Sequence, residues 1–272
     1  MSAIEQTELL IAGGGPIGLF TALCAVRHGL DVIVIEHSFR GTPRGHTTLL
    51  HPSSIRLLGE LGLSPLLLRS GQLVEEVELR VDGHPQRLKL PFPALAITQA
   101  LFEEALLKVL RKEEIELRAT CEVTEVSQTD EHAAARVVRR ERIRAASKLE
   151  DEHWELVDSS TIRAQYIVAA DGRASRVREA IGIPTFTGAA RRYAMFEFPS
   201  QSPPEPELVI ANGLSHFILP LLERRARCSF ELEHGSQQPA NLAHLTALVA
   251  QRAPRQPVPR ELDWSAIIHF AP

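Results

Sequence analysis

Three glycines near the start of the chain have the spacing of a site that binds a dinucleotide phosphate. Gly13, Gly15 and Gly18 follow the apolar run 8–12 in the order G-x-G-x-x-G, and the acid Glu36 closes the next apolar run. In this pattern the first glycine allows a tight turn, the second lets the backbone approach a pyrophosphate, and the third lets a helix pack closely on a sheet. A carboxylate at this position, here that of Glu36, accepts hydrogen bonds from ribose hydroxyls. This favours FAD or NAD over NADP, which carries a 2′-phosphate there.

A strand, a helix and a second strand must position these residues. The apolar runs 8–12 and 32–35 predict two buried strands, and the segment between them predicts a helix that Pro16 and Ile17 open. The amino end of that helix directs unpaired N–H groups and the positive end of its dipole toward a bound phosphate. Strand, turn, helix, strand and acid in this order are the context that gives the glycine pattern its meaning.

Composition narrows the class of protein. The chain has 272 residues, 44% of them hydrophobic, and a formal net charge of −4, which gives no electrostatic basis for binding nucleic acid or an anionic membrane. No apolar run reaches the ~18 residues of a membrane span, and no signal peptide is visible. Three cysteines without paired or metal-like spacing fit a reducing compartment, so we expect a cytoplasmic protein with no metal site.

A second motif follows the apolar run 161–170, where Asp171-Gly172 stands before a predicted helix. A carboxylate at the carboxyl end of a strand is placed for ligand contact in an open α/β sheet, although Asp-Gly alone is an ordinary turn dipeptide. Elsewhere the pattern predicts a hairpin at 73–90, a helix that begins at Thr98, β-rich segments at 115–170 and 186–232, and a helix at 239–252.

The stretch 166–178, with Asp171 and Gly172 at its centre, resembles the Asp-Gly motif of the group A flavoprotein monooxygenases, the p-hydroxybenzoate hydroxylase-like family. The glycine fingerprint is similar to theirs, including the Gly-Pro at Pro16. Arg44 before the predicted helix 51–63 resembles the flavin-contacting arginine of the family, and Gln99 resembles its flavin-contacting glutamine.

The resemblance implies an α/β fold, in which a Rossmann-like FAD-binding domain (1–72 and 95–183) is interleaved with a β-sheet substrate domain (73–94 and 184–272). It also implies that NAD(P)H transiently reduces the FAD, and that the reduced flavin takes up O2 as a C4a-hydroperoxide and hydroxylates a small, possibly aromatic, organic substrate. The expected cofactor-binding residues are Gly13, Gly15, Pro16, Ile17, Gly18, Glu36, His37, Arg44, Gln99, Asp171 and Gly172.

The sequence departs from the family in one respect. The family carries a third motif, Gly-Asp followed by small residues, His and Pro, whose helix faces the flavin ring, and this chain contains no such motif. We therefore expect a C-terminally truncated version of the fold. The chain would be an artificially shortened protein, a gene fragment, one half of a split enzyme or a natural short form. A missing segment or a second chain would complete the flavin site.

Two alternatives to the monooxygenase remain open. One is a flavin reductase or dehydrogenase of the same superfamily, which performs hydride chemistry without oxygen insertion. The other is a catalytically incomplete FAD-binding chain that acts with a partner. The sequence identifies no catalytic acid or base, because a lone histidine is more often structural or solvated than catalytic.

Overall fold

The computed structural model describes residues 4–38, 47–143, 153–185 and 188–270. The first half of the chain forms β1 (Glu5–Ala12), α1 (Pro16–Arg27), β2 (Val32–Ile35), β3 (Thr47–Leu50), α2 (Pro52–Glu60), α3 (Ser64–Ser70), β4 (Gln72–Val81), β5 (His84–Thr98), α4 (Gln99–Lys112), β6 (Glu116–Arg118) and β7 (Cys121–Gln128). The second half forms β8 (Ala133–Ile143), β9 (His153–Ala169), α5 (Arg176–Ala180), β10 (Arg191–Pro199), β11 (Glu207–Ala211), β12 (Leu214–Leu221), β13 (Arg225–Glu231), α6 (Leu242–Arg252) and β14 (Trp264–Phe270). None of these helices combines the length and the apolarity that a membrane span requires.

The chain divides into two compact units, of which the first comprises Met1–Gly41 and Glu103–Thr185. Its described strands form one sheet in the order β6-β2-β1-β9-β8-β7. The strands β6, β2, β1 and β9 run parallel, while β9, β8 and β7 are antiparallel neighbours. All four residues of β2 are buried, as expected for a parallel strand that is covered on both faces. This sheet brings the carboxyl ends of β1, β2 and β9 to one edge.

The strand β9 is longer than the sequence predicts. The runs 154–157 and 161–170 predict two separate strands, with the polar residues Asp158, Ser159 and Ser160 between them. In the structure these polar residues continue the ladder, and Ser159 and Ser160 pair with Val138 and Val137 of β8. An antiparallel ladder with one solvated face tolerates such residues, so polarity alone does not end the strand.

The second unit comprises Thr42–Phe102 and Phe186–Pro272. Its described strands form one sheet in the order β14-β10-β13-β12-β11-β4-β5-β3. The predicted hairpin is present as β4 and β5, joined by Asp82 and Gly83 with φ of 45° and 85°, the left-handed conformation that a tight hairpin turn requires. One core of this unit packs α6 against buried side chains of β10, β12 and β13.

The predicted α/β fold with a large β-rich portion is confirmed. The compact units differ from the predicted domain boundaries at 42–72 and at 95–102, both of which the prediction grouped with the glycine motif. In the structure β3 pairs with the end of β5, and α2 and α3 also contact β5, so these elements pack together in the second unit. The assignment of one unit to FAD and the other to substrate stays a prediction.

Candidate functional site

The glycine turn joins the end of β1 to the start of α1. Gly13 has a φ of +110°, and a Cβ added there would overlap the carbonyl oxygen of Ala170. A Cβ on Gly18 would overlap the carbonyl oxygen of Gly13. A Cβ on Gly15, in contrast, would meet nothing within 4 Å. Gly13 and Gly18 are therefore required by the fold itself, while the open space beside Gly15 is room for a ligand.

The helix α1 begins at this turn, with Gly15 as its N-cap and Pro16 in its first turn. Because no side chain caps this end, the first amides of the helix face outward with the positive end of the helix dipole. Ile17, the second residue of the helix, is 70% exposed. Such an end is suited to an anionic group such as a pyrophosphate.

The side-chain carboxylate of Glu36 is hydrogen-bonded to the glycine turn and to Ser38. Its Oε2 accepts the amide of Gly14 at 2.6 Å, and its Oε1 accepts the amide and the hydroxyl of Ser38 at 2.7 and 2.5 Å. The ring Nδ1 of His37 lies 3.2 Å from the same Oε1, and the His37 side chain is 72% exposed. The carboxylate thus fixes both the glycine turn and the chain that leaves β2.

Asp171 has a similar internal role at the end of β9. Its Oδ1 accepts the Ser175 hydroxyl at 2.5 Å, and its Oδ2 accepts the amide of Val177 at 3.1 Å. Ser175 is in turn the N-cap of α5 and accepts the amide of Arg178 at 3.0 Å. Gly172, with a φ of +79°, allows the chain to turn between the strand and this cap.

A cleft of about 570 Å³ opens at this edge of the first unit, within the size range of small-molecule sites. Its walls include Gly13, His37, Cys121, Asp171 and Arg178. Cys121 is buried, and this burial raises the pKa of its thiol. The cleft lies where strands β1, β2 and β9 end, which is the usual ligand position in an open α/β sheet.

Most of the predicted cofactor residues therefore meet at one edge of the first unit. These are Gly13, Gly15, Pro16, Ile17, Gly18, Glu36, His37, Asp171 and Gly172. Gln99 is the first residue of α4 and belongs to the second unit, where the hydroxyl of Thr98 accepts the amide of Leu101 at 3.4 Å. Arg44 lies outside the described residues. Contact of any of these residues with FAD stays a prediction.

Sequence reasoning missed the two serines that hold the carboxylates. Ser175 stands four residues after Asp171 at a helix start, where a serine is a common cap, so a capping signal was present. Ser38 follows Glu36 by two residues in a polar stretch and carries no comparable signal. Both are needed to explain the orientation of the acids.

Two histidines of the second unit, His216 and His244, have internal partners. The Nε2 of His216 lies 3.2 Å from Oε1 of Glu207, and both side chains are buried. The Nδ1 of His244 lies 2.9 Å from the carbonyl oxygen of Pro239. These contacts support structural roles, and we assign neither histidine a catalytic one.

Comparison with known proteins gives a consistent picture. A family model described as an FAD binding domain matches residues 6–267. The rifampicin monooxygenase of Streptomyces venezuelae is 27% identical over 187 residues, which are 68% of this chain and 36% of that protein. The 6-methylpretetramide 4-monooxygenase of Streptomyces rimosus is 30% identical over 188 residues, 66% of this chain and 41% of that protein.

The crystal structure of p-nitrophenol 4-monooxygenase from Pseudomonas putida superposes with a TM-score of 0.73 at 19% identity and covers 98% of this chain and 69% of that one. At this identity the likeness concerns the fold. The chain thus spans 36% and 41% of the length of the two relatives compared by sequence. Since the family model extends over nearly all of the sequence, the chain belongs to the FAD-binding domain family of the group A flavoprotein monooxygenases.

Proposed function

We propose that this protein is an FAD-dependent monooxygenase that uses NAD(P)H and O2 to hydroxylate a small aromatic substrate. The observation that carries the proposal is the meeting of the glycine turn with the Asp171 cap beside one cleft of about 570 Å³. The names of the relatives support the reaction class, since both relatives compared by sequence are monooxygenases. Because the chain spans only part of their length, a further segment or a second chain is included in the proposal.

The residues of the first unit fit the pyrophosphate end of FAD. The open space at Gly15 and the uncapped amides of α1 suit a doubly charged diphosphate. In the carboxylate of Glu36, Ser38 and His37 approach Oε1, while Oε2 accepts the Gly14 amide and has a second acceptor position that can receive a ribose hydroxyl. Asp171 and Gly172 of the same unit belong to the proposed set, and FAD contact by Arg44 and Gln99 is proposed from the family resemblance alone.

When bound, FAD supplies the redox and oxygen chemistry, and the protein contributes binding, orientation and the exclusion of water. Gly13, Gly15 and Gly18 would position the diphosphate, while Asp171 keeps α5 and the wall of the cleft in place through Ser175 and Val177. We place the protein in a reducing compartment such as the cytoplasm, which its three free cysteines support.

The cofactor proposal is tested with a substitution that spares the fold. Gly15→Ala adds a methyl group to open space at a φ of −73°, so we expect an unchanged melting temperature but FAD affinity reduced at least tenfold. Gly29→Ala is the control: its left-handed φ of +82° costs some stability, but Gly29 lies at the other end of α1, so its FAD affinity should stay unchanged. Unchanged FAD affinity in Gly15→Ala would contradict the assignment of this turn to the diphosphate.

The reaction is tested with 4-nitrophenol as probe, NAD(P)H as reductant and ¹⁸O2. A monooxygenase transfers one labelled atom to the product and releases the other as water. Consumption of NAD(P)H under nitrogen, in proportion to an added acceptor and without labelled product, would favour the reductase or dehydrogenase. Protein that takes up no FAD would refute both enzymatic functions for this chain.

A further inference from the structure

The cleft of about 570 Å³ in the first unit continues into a second, smaller cleft of about 330 Å³. Glu122, Arg176 and Glu179 line both clefts. The second cleft is completed by Thr124, Arg140 and Ala180. Two arginines and two glutamates therefore stand beside the proposed cofactor site, and arginine is the side chain whose planar fork matches a phosphate group.

Glu122 of β7 connects the two arginines. Its Oε2 lies 3.1 Å from Nη2 of Arg140 on β8, and its Oε1 accepts a hydrogen bond from Nε of Arg176 on α5 at 3.4 Å. Arg176 also donates from Nη1 to Oε2 of Glu179 at 3.2 Å. The Glu122 side chain is 20% exposed, whereas those of Arg140 and Arg176 are 50% and 59% exposed. The carboxylate at the centre of this network is thus less accessible than the arginines that it joins.

The network also reaches the part of the cleft wall that Asp171 maintains. Arg176 directly follows Ser175, whose hydroxyl donates to Oδ1 of Asp171 at 2.5 Å. The central carboxylate therefore ties β7 to the first turn of α5, beside the cap of that helix. A further arginine that lines the larger cleft, Arg178, donates to the carbonyl oxygen of Arg173 at 2.9 Å, so its guanidinium is directed back onto the loop before the cap.

The charges in this network balance. Arg140 and Arg176 are positive, Glu122 and Glu179 are negative, and the Glu122 carboxylate engages both guanidinium groups. Without this carboxylate the two guanidinium groups would attract the diphosphate of a nucleotide, in competition with the amino end of α1.

We infer that Glu122 is a positioning residue that directs a nucleotide diphosphate to the glycine turn, because it neutralises Arg140 and Arg176 elsewhere on the cleft wall. It contacts the arginines rather than the cofactor. The inference rests on the proposed function, because it concerns how the proposed FAD site receives its diphosphate. Loss of the Glu122 charge should therefore create an additional anion site beside the cleft.

Inorganic phosphate is the probe for this additional site, and broadening of its ³¹P resonance by the full chain, at constant ionic strength and without FAD, measures binding. Broadening should be roughly twofold greater for Glu122→Gln than for the native protein, because the freed guanidinium groups add a second site to the amino end of α1. Glu122→Asp, which keeps the charge, should behave as the native protein. So should Glu125→Gln, which frees Arg136 from an exposed ion pair between the same two strands. Equal broadening for native protein and Glu122→Gln would overturn the inference, as would a gain that persists when Arg140 and Arg176 are also replaced by Gln.

If Glu122→Gln does not fold, the double variant Arg140→Gln/Arg176→Gln decides in its place. It leaves the Glu122 carboxylate without its two partners beside the cleft, so phosphate should bind more weakly than to the native protein. Unchanged phosphate binding in a folded double variant would overturn the inference.

The directing role is tested with Gly15→Ala in two backgrounds. In the Glu122→Gln background this substitution should lower FAD affinity by less than about threefold, against the tenfold or greater loss expected in the native background, because the freed arginines offer the diphosphate a second position. An equal loss in both backgrounds would overturn the inference. The phosphate measurement needs no FAD, so failure of the proposed FAD site is distinguished from failure of this inference.

Discussion

The carboxylate of Glu36 holds the amide of Gly14, 22 residues earlier in the chain, with 2.6 Å between Oε2 and the amide nitrogen. The acid at the end of β2 is therefore a brace for the glycine turn in addition to its proposed role with a ribose. An added Cβ on Gly14 would lie 2.9 Å from the Cβ of Glu36, so the two residues also pack in direct contact. The proposed cofactor site and the fold of the first unit are thus coupled through one side chain.

This coupling predicts that Glu36→Ala lowers both stability and FAD affinity. The change leaves the Gly14 amide without its acceptor and costs about 1–3 kcal/mol of unfolding free energy, the usual cost of an unsatisfied polar group. Chemical denaturation measures the stability, and quenching of flavin fluorescence measures the affinity. Glu125→Gln, which removes an exposed ion-pairing acid of the same unit, should alter neither. Loss of affinity at unchanged stability would argue against the brace.

The sequence was sufficient to predict the glycine turn, because each of its requirements is local: an apolar strand, glycines at fixed intervals, Pro16 in the first helical turn and Glu36 at the next strand end. It also located the Asp171 turn at the end of β9. The internal engagement of Glu36 and Asp171 was not predictable, because it depends on atoms brought together by the folded turn. The same holds for β3, whose pairing with β5 is a long-range contact that places 42–72 in the second unit.

A second prediction compares two glycines with left-handed backbone conformations, of which only Gly13 is also in close contact with neighbouring atoms. Gly13→Ala should destabilise the first unit by about 3 kcal/mol or more, because a left-handed φ is combined with overlap on the Ala170 carbonyl oxygen. Gly29→Ala has a comparable left-handed φ of +82° but open space around the new methyl group, and should cost only about 1 kcal/mol. Thermal unfolding of the two variants checks the difference. Equal destabilisation would show that the close contact at Gly13 is not the deciding constraint.

Glu231 gives the stability of the second unit a dependence on pH. Burial alone would raise the pKa of its carboxyl, but hydrogen bonds from the Ser215 hydroxyl and amide and the charge of Arg191 hold the pKa below the ordinary value of about 4.3. The stabilisation is therefore complete above about pH 4.3 and is lost as the pH falls through the lower, folded-state pKa.

We expect Glu231→Gln to flatten this acid response. Melting temperatures between pH 6 and pH 3 should fall less steeply in the variant than in the native protein, because the neutral amide binds no proton on unfolding. Glu233→Gln, at an exposed position, should keep the native slope. Parallel curves for native protein and Glu231→Gln would show that Ser215 does not stabilise the ionised carboxylate.

The alkylation rates of the two buried cysteines measure local opening of the two units separately. Cys121 lines the cleft of the first unit, and Cys228 lies in the core of the second, and burial raises the pKa of both thiols. Alkylation by iodoacetamide at neutral pH should therefore be slow for both until the surrounding structure opens. Peptide mass spectrometry resolves the labelling rates, and Cys24→Ser removes the half-buried third thiol.

FAD should slow the labelling of Cys121 much more than that of Cys228. A ligand at 100 times its Kd stabilises the state that binds it by about 2.7 kcal/mol, which corresponds to roughly a hundredfold lower population of the open form. Gly15→Ala should cut this protection to about tenfold or less at the same FAD concentration, because its Kd for FAD is raised at least tenfold. Equal protection of Cys121 and Cys228, or none at Cys121, would place the nucleotide outside the cleft formed by Gly13, Asp171 and their neighbours.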